Sequence, residues 1–326
     1  MPAVTVDNPL TLLQLPKLSS ESSVPRPVEL VVTAQGQMEG AGISIRRPFP
    51  GQLPLAAVDP FLLLDQAGPT LNGPKDTRGA PWHPHRGIET VSYIIDGEIA
   101  HHDSNGGGGI IGEGDTQWMT AGAGILHDEL PTERFFTLGG PVHMVQLWVN
   151  LPSELKYSHP RYQHITSDTL TLLTTPDGGA LIRLIAGDLG PFAGPGVTFT
   201  PITYLHATVS PGAELEVPWK QEFSAFAYVL MGRGFAGPEL RPVADHQFVV
   251  FGPGDHVELR AADTQSADSS AFELLLLGGL PIREPIVSHG PFVMNSRAEI
   301  EQAIADYQAG RLGTIPADQV VPRSFA

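Results

Sequence analysis

Apolar and polar positions along this 326-residue chain change over at short intervals. Gly42–Arg47 alternates as a half-buried strand does, and Pro60–Leu64 is a continuous apolar run. Ile88–His101 reads as strand, turn, strand. Ile110–Gly112, Thr116–Thr120 and Val142–Asn150 follow as further strands. Sustained helical periodicity is confined to Asn295–Gly310. There Ser296 and Glu299 form a capping box, Ile300, Ala303, Ile304 and Tyr307 share one face, and Gly310 marks the stop. Residues 1–28 mix Pro, Ser and a short leucine run (Leu10, Leu12, Leu13, Leu15) and are expected to form a tail or a loosely docked arm. The pattern predicts an all-β body with one terminal helix. The 36 glycines and 31 prolines lie between the short runs without a period, as turns between many strands require.

A faint repeat divides the chain. Tyr93-Ile94-Ile95-Asp96-Gly97-Glu98, then Ile111-Gly112-Glu113-Gly114-Asp115, is echoed by Tyr228-Val229-Leu230-Met231-Gly232-Arg233, then Phe251-Gly252-Pro253-Gly254-Asp255. The expectation is a duplicated β-barrel or double-sheet sandwich. Its boundaries are an arm at 1–30, barrels at 31–155 and 156–290, and the helix and tail at 291–326.

Charge and composition narrow the function. A formal net charge of −16 argues against direct nucleic-acid binding and against an anionic membrane surface. No cysteine is present, which excludes disulfides, thiolate metal sites and a cysteine nucleophile. The longest apolar runs, such as Leu274–Leu277, are too short to span a bilayer, and Met1–Asn8 has no secretory pattern. A cytoplasmic enzyme or binding protein is expected. No G-x-S-x-G elbow occurs, and the glycines of Ser104–Gly109 lack the sequel of a phosphate-binding loop.

Five of the twelve histidines fall between His83 and His127. In His83-Pro84-His85 the two imidazoles share one strand face, and Pro84 places that strand at a sheet edge or start. In His127-Asp128-Glu129 the His and the Glu again share a face. If the two segments are neighbouring strands of one barrel, three imidazoles and one carboxylate converge as a metal site. Glu89 has the parity of His85, either as a further ligand or orienting group or as an acceptor for a hydroxyl or Arg86. His101 and His102 are expected at the surface of an edge strand. Trp118, Met119, His143 and Trp148 are expected in core strands.

The segments His83–Tyr93 and Gly114–Glu129 closely resemble the signature segments of the pirin family. The resemblance continues through Gln146–Leu151, Arg161–Gln163, Glu284–Val287 and Gly290–Asn295. It implies two cupin (double-stranded β-helix, or jelly-roll) barrels in tandem with a short C-terminal helix. It also implies metal ligands at His83, His85, His127 and Glu129, the residues that strand parity selects. The implied cofactor is one divalent metal per chain, Fe(II) first, with Ni, Co, Mn, Cu or Zn as alternatives. Several family members resemble quercetin 2,3-dioxygenases, which open a flavonol's heterocyclic ring with O2 and release CO. That reading makes Glu129 the catalytic base, with a flavonol and O2 as partners. Other members imply a non-enzymatic, iron-dependent, redox-responsive transcription co-regulator with a protein partner, and a structural zinc site is a third possibility. A monomer is expected. In the repeat, Pro218 and Lys220 align with His83 and His85, and Ala267 and Ser269 with His127 and Glu129. The second barrel, at 156–290, is therefore expected to be metal-free.

Overall fold

In the first half of the chain, several strands are apolar on one face and repeatedly polar on the other, and the fold sorts the two. A computed structural model describes residues 12–19, 24–40, 42–76, 78–265 and 269–316. The first half supplies β2 (Gln35–Glu39), β3 (Ile43–Phe49), β4 (Phe61–Asn72), β5 (Ala80–His85), β6 (Ile88–Asp96), β7 (Ile99–Asp103), β8 (Gly108–Ile111), β9 (Thr116–Thr120), β10 (Ile125–Pro131) and β11 (Gly140–Asn150). With β12 (Arg161–Ile165), these form an antiparallel seven-stranded sheet, β12-β9-β6-β11-β4-β3-β2, and a four-stranded sheet, β5-β10-β7-β8.

The second half repeats the plan. Its large sheet runs β1-β22-β19-β24-β17-β14-β13. The strands are β1 (Val28–Thr33), β13 (Thr171–Thr174), β14 (Ala180–Ala186), β17 (Ile202–Val209), β19 (Ala225–Met231), β22 (Gln247–Phe251) and β24 (Phe272–Gly279). Its small sheet, β18-β23-β20-β21, comprises β18 (Glu214–Pro218), β20 (Arg233–Ala236), β21 (Arg241–Ala244) and β23 (His256–Ala261). Two ribbons complete the strands: β15 (Asp188–Leu189) with β16 (Phe192–Ala193), and β25 (Val287–His289) with β26 (Phe292–Met294).

The two barrels trade strands across the expected division at 155/156. β1 pairs with β22 of the second barrel, and β12 pairs with β9 of the first. The chain ahead of β1 is also held more firmly than a loosely docked arm. Leu18 is buried in the second barrel's core, and the Arg26 guanidinium donates to the carbonyls of Gly252, Lys220 and Gln221. The remainder of the arm lies outside the described residues.

Between the barrels the two large sheets press together. Phe49, Phe61, Val91, Tyr93 and Trp118 of the first pack against Tyr204, Phe226, Tyr228 and Phe248 of the second. Inside, the barrels differ. The second is filled by Leu215, Val217, Val257, Leu259 and Ala261, whereas the first has only a small apolar cluster around Ile88, Met119 and Ile125. Polar side chains occupy the rest.

The terminal helix, α2 (Arg297–Gln308), starts where expected: the Ser296 hydroxyl accepts from the Glu299 N–H, and Ile300 and Ala303 are buried. A second helix, α1 (Glu133–Leu138), is capped by Thr132. It is too short to show a period in the sequence. The C-terminal segment returns to the first barrel, where Arg86 Nη1 donates to Asp306 at 2.8 Å.

Candidate metal centre

β5 is the edge strand of its sheet, so the N–H that Pro84 lacks is not needed by a second neighbour. Across the β5–β10 ladder His83 stands opposite His127. The ring centroids lie 4.3 Å apart for His83–His127, 4.9 Å for His83–His85 and 5.0 Å for His85–His127. Their ligand nitrogens all lie within 4.8 Å of one another. The ladder slips between His127 and Glu129, the kind of irregularity that re-aims a side chain beside a site.

Hydrogen bonds fix the ring tautomers. His83 Nδ1 lies 2.7 Å from the Pro81 carbonyl, and His85 Nδ1 3.3 Å from the Pro291 carbonyl. A carbonyl only accepts, so each Nδ1 carries a proton, which leaves Nε2 as the nitrogen available to a metal. His127 Nε2 is buried without a partner. Burial, reinforced by neighbouring imidazoles, holds His85 and His127 well below the usual histidine range. Three imidazoles with ligand nitrogens this close together are what a first-row divalent cation needs, and an orphaned buried nitrogen without a cation would be costly.

Glu129 is held by three donors. Ser92 Oγ and Gln117 Nε2 reach Oε1 at 2.7 and 2.9 Å, and Gln146 Nε2 reaches Oε2 at 3.0 Å. These donors come from β6, β9 and β11, so the large sheet positions a carboxylate carried by the small one. Glu129 joins His127 in a second cluster whose third member is His101. Together the residues could hold one metal ion.

His101 is the main residue that sequence reasoning misplaced. It is fully buried rather than at the surface, with its Nδ1 3.4 Å from His127 Nδ1, its ring stacked on Tyr162 and its Nε2 3.5 Å from Asp103 Oδ2. Asp103 is in turn anchored by the N–H groups of Asn105 and Gly107. His102 alone is turned outward, paired with Asp128. Adjacent strand residues face opposite ways, and β7 lies between β10 and β8 rather than at an edge, so one of the pair turns into the barrel.

Glu89 faces away from the imidazoles. The chain breaks at Arg86–Gly87 between β5 and β6, which resets the parity, and Glu89 accepts from Thr120 Oγ1 with Arg161 at 4.0 Å. Burial raises its pKa. Gly87 has φ +81°, and a Cβ there would meet the Val293 carbonyl at 2.1 Å. That close approach admits the C-terminal strap, which carries the Pro291 carbonyl to His85. The buried Lys156 ammonium locks the strap by donating to Gly87 O, Val293 O and Asn150 Oδ1. Trp118, Met119 and His143 are buried as expected, whereas Trp148 is only part-buried and places its ring 5.1 Å from that of His85.

The second barrel needs a different alignment. β18 and β23 are the counterparts of β5 and β10; their buried positions are Leu215, Val217, Val257, Leu259 and Ala261, with one histidine, His256, which pairs with Asp255 and Glu258. Lys220 and Ser269 lie beyond these strands, and Ala267 is outside the described residues. The error came from matching Gly254 to Gly114. Gly252 and Gly254 follow β22, as Gly122 and Gly124 follow β9, while the turn of Gly114 corresponds to Asp245–His246. Glycine-rich turns recur, so the wrong pair was matched.

Comparison with known proteins covers both halves. The model of the family described as Pirin matches residues 42–149, and that of the Pirin C-terminal cupin domain matches residues 204–313. The chain is 37% identical to Pirin of Homo sapiens over 289 residues, 88% of this chain and 93% of that protein. It is 42% identical over 274 residues to a Pseudomonas aeruginosa protein provisionally named a quercetin 2,3-dioxygenase, covering 83% of this chain and 93% of that one. A crystal structure titled quercetin 2,3-dioxygenase from Acinetobacter baumannii superposes with a TM-score of 0.82 at 33% identity, covering 90% of this chain and all of that one.

Proposed function

The chain belongs to the pirin family, with two cupin domains in tandem, and from that premise we propose that it is a metal-dependent flavonol 2,3-dioxygenase of the quercetinase type. The reading rests above all on Glu129, a buried carboxylate held by three donors and clustered with His127, which in turn converges with His83 and His85. His83, His85, His127 and Glu129 would hold the metal, a donor set that suits Fe(II), Mn(II), Ni(II) or Co(II). When bound, such an ion supplies Lewis acidity toward a flavonol's vicinal oxygens and redox capacity toward O2.

The protein's own groups do the rest. Glu129 takes the proton of the substrate's 3-hydroxyl, as a positioned base. Ser92, Gln117 and Gln146 keep the carboxylate from rotating. Trp148 beside His85 and Tyr162 against His101 supply flat apolar walls for an aromatic substrate. The overall change opens the heterocyclic ring with one O2 and releases one CO.

Aerobic incubation of the metal-loaded chain with quercetin tests the proposal. Loss of the flavonol's visible absorbance with stoichiometric CO is the expected result. Absence of turnover with every first-row divalent metal overturns it.

A further inference from the structure

A cavity of about 570 Å³ lies between the barrels, bounded by β3 and β4 of the first and by β19 and the Asp245–His246 turn of the second. Domain junctions are a common place for small-molecule sites, and the volume falls in their usual range of about 300–1,000 Å³. None of its lining belongs to the imidazole cluster.

His246 carries the argument. It holds φ +64° at the position where the duplicated turn of the first barrel uses Gly114, at φ +78°. The equivalence shows in the backbone: Gly114 N–H donates to Ile94 O, and His246 N–H donates to Val229 O. A side chain in the left-handed region costs energy that glycine avoids, and such strain gathers at functional positions.

Its ring chemistry follows from Gln66. Gln66 Nε2 faces the Leu230 carbonyl at 3.3 Å, and a carbonyl only accepts, so the amide orientation is fixed. Gln66 Oε1 then accepts from Tyr228 OH and from His246 Nδ1, at 2.8 and 3.0 Å. His246 therefore carries its proton on Nδ1, and its Nε2 is a bare acceptor with no partner among the described residues. Burial, with Arg46 nearby, lowers its pKa and keeps the ring neutral.

Arg46 supplies the opposite character. Its neighbour Arg47 is clamped by both oxygens of Asp65, whereas Arg46 has no acidic partner among the described residues. Asp245 is the one carboxylate of the lining, and Ile45, Leu230 and Met231 supply apolar surface. The cavity thus offers a free guanidinium, a neutral ring acceptor, a carboxylate acceptor and apolar walls.

We propose that this inter-barrel cavity binds a small hydroxylated aromatic carboxylate, its carboxylate on Arg46 and its hydroxyls donating to His246 Nε2 and Asp245. The protein's net charge of −16 disfavours anions in general, so Arg46 is indispensable to such a ligand.

Isothermal titration of the full chain with protocatechuate, with benzoate and catechol as controls, tests the site. Saturable binding is expected, tighter than for either control. Arg46→Gln, at an exposed side chain, weakens it about tenfold or more, the usual loss for a charged hydrogen-bonded pair. His246→Asn, which tolerates the left-handed backbone, weakens protocatechuate but spares benzoate. His83→Ala leaves binding unchanged, which separates this site from the metal centre. No saturable binding at millimolar ligand, binding indifferent to Arg46→Gln, or loss in His83→Ala overturns the proposal.

Discussion

His83 and His127 occupy one rung of the β5–β10 ladder with their rings 4.3 Å apart, so the backbone pairing itself sets their separation. The cluster is assembled by sheet register and by carbonyl contacts to Pro81 and Pro291, not by a flexible loop. A cation entering such a site finds its ligands already facing one another. Folding and metal binding should therefore be separable, unlike in small zinc domains.

The first prediction follows directly. His83→Ala or His127→Ala abolishes metal retention, while the far-UV circular dichroism of the all-β body stays unchanged. Elemental analysis of protein purified without nickel resin or chelator should give one metal per wild-type chain and almost none in the variants. An unfolded apo protein contradicts the separation of fold and site.

His101 supports a second prediction. It lies between His127 and the anchored Asp103, placed to orient the His127 ring, and it shares a cluster with His127 and Glu129. Loss of such an orienting partner typically weakens metal affinity about 10–100-fold. His101→Ala should show that weakening in a competition titration with a chromogenic chelator. His101→Gln, which can still offer a polar atom to His127, should recover part of it. Unchanged affinity in His101→Ala would falsify the orienting role.

Much of this site was legible because strand parity is strict. His83, His85, His127 and Glu129 were readable as two same-face pairs, and Pro84 as an edge marker. Ser92, Gln117 and Gln146 carried a signal too, polar residues at inward strand positions, the first two fully buried and the third part-buried. That signal depends on knowing which face is inward, which the sequence alone does not state. His101 was misread because its neighbour His102 made a polar pair look like surface. Strand exchange by β1 and β12 was invisible for another reason: antiparallel pairing between distant segments leaves no local pattern.

A third prediction concerns pH. Burial depresses His143 to about 3, and its Nε2 accepts from Gln66 Nε2 at 2.8 Å. Unfolded, the same ring titrates near about 6.5. Between these values the unfolded chain binds a proton that the folded chain does not. Stability is then complete above about 6.5 and falls with decreasing pH at about 1.4 kcal/mol per unit, through the folded value. Urea unfolding between about pH 7 and about pH 5 should show this slope. His143→Gln, which keeps an acceptor for Gln66, should reduce it by about one proton's worth, and an unaltered slope would contradict the assignment.

The last prediction separates holding the metal from moving the proton. Glu129 Oε1 receives Ser92 and Gln117, and Oε2 receives Gln146. In Glu129→Gln the new amide oxygen can keep the two donors at the Oε1 position. Its NH2 group then meets Gln146, whose own amide must turn to present oxygen. That rotation costs only the long Gln146 contact to Ser92 Oγ, so the variant should fold and retain metal, with affinity lowered by loss of the anionic ligand. It cannot accept the 3-hydroxyl proton, and a positioned base is worth about 10²–10⁴ in rate. Quercetin turnover should therefore fall by at least about two orders of magnitude at full metal occupancy. His85→Ala should instead lose metal and turnover together. Near-normal turnover by fully loaded Glu129→Gln would show that the proton leaves by another route. Loss of metal in that variant comparable to His85→Ala would show that Glu129 serves chiefly as a ligand. Pairing metal content with turnover for both variants distinguishes the two roles in one experiment.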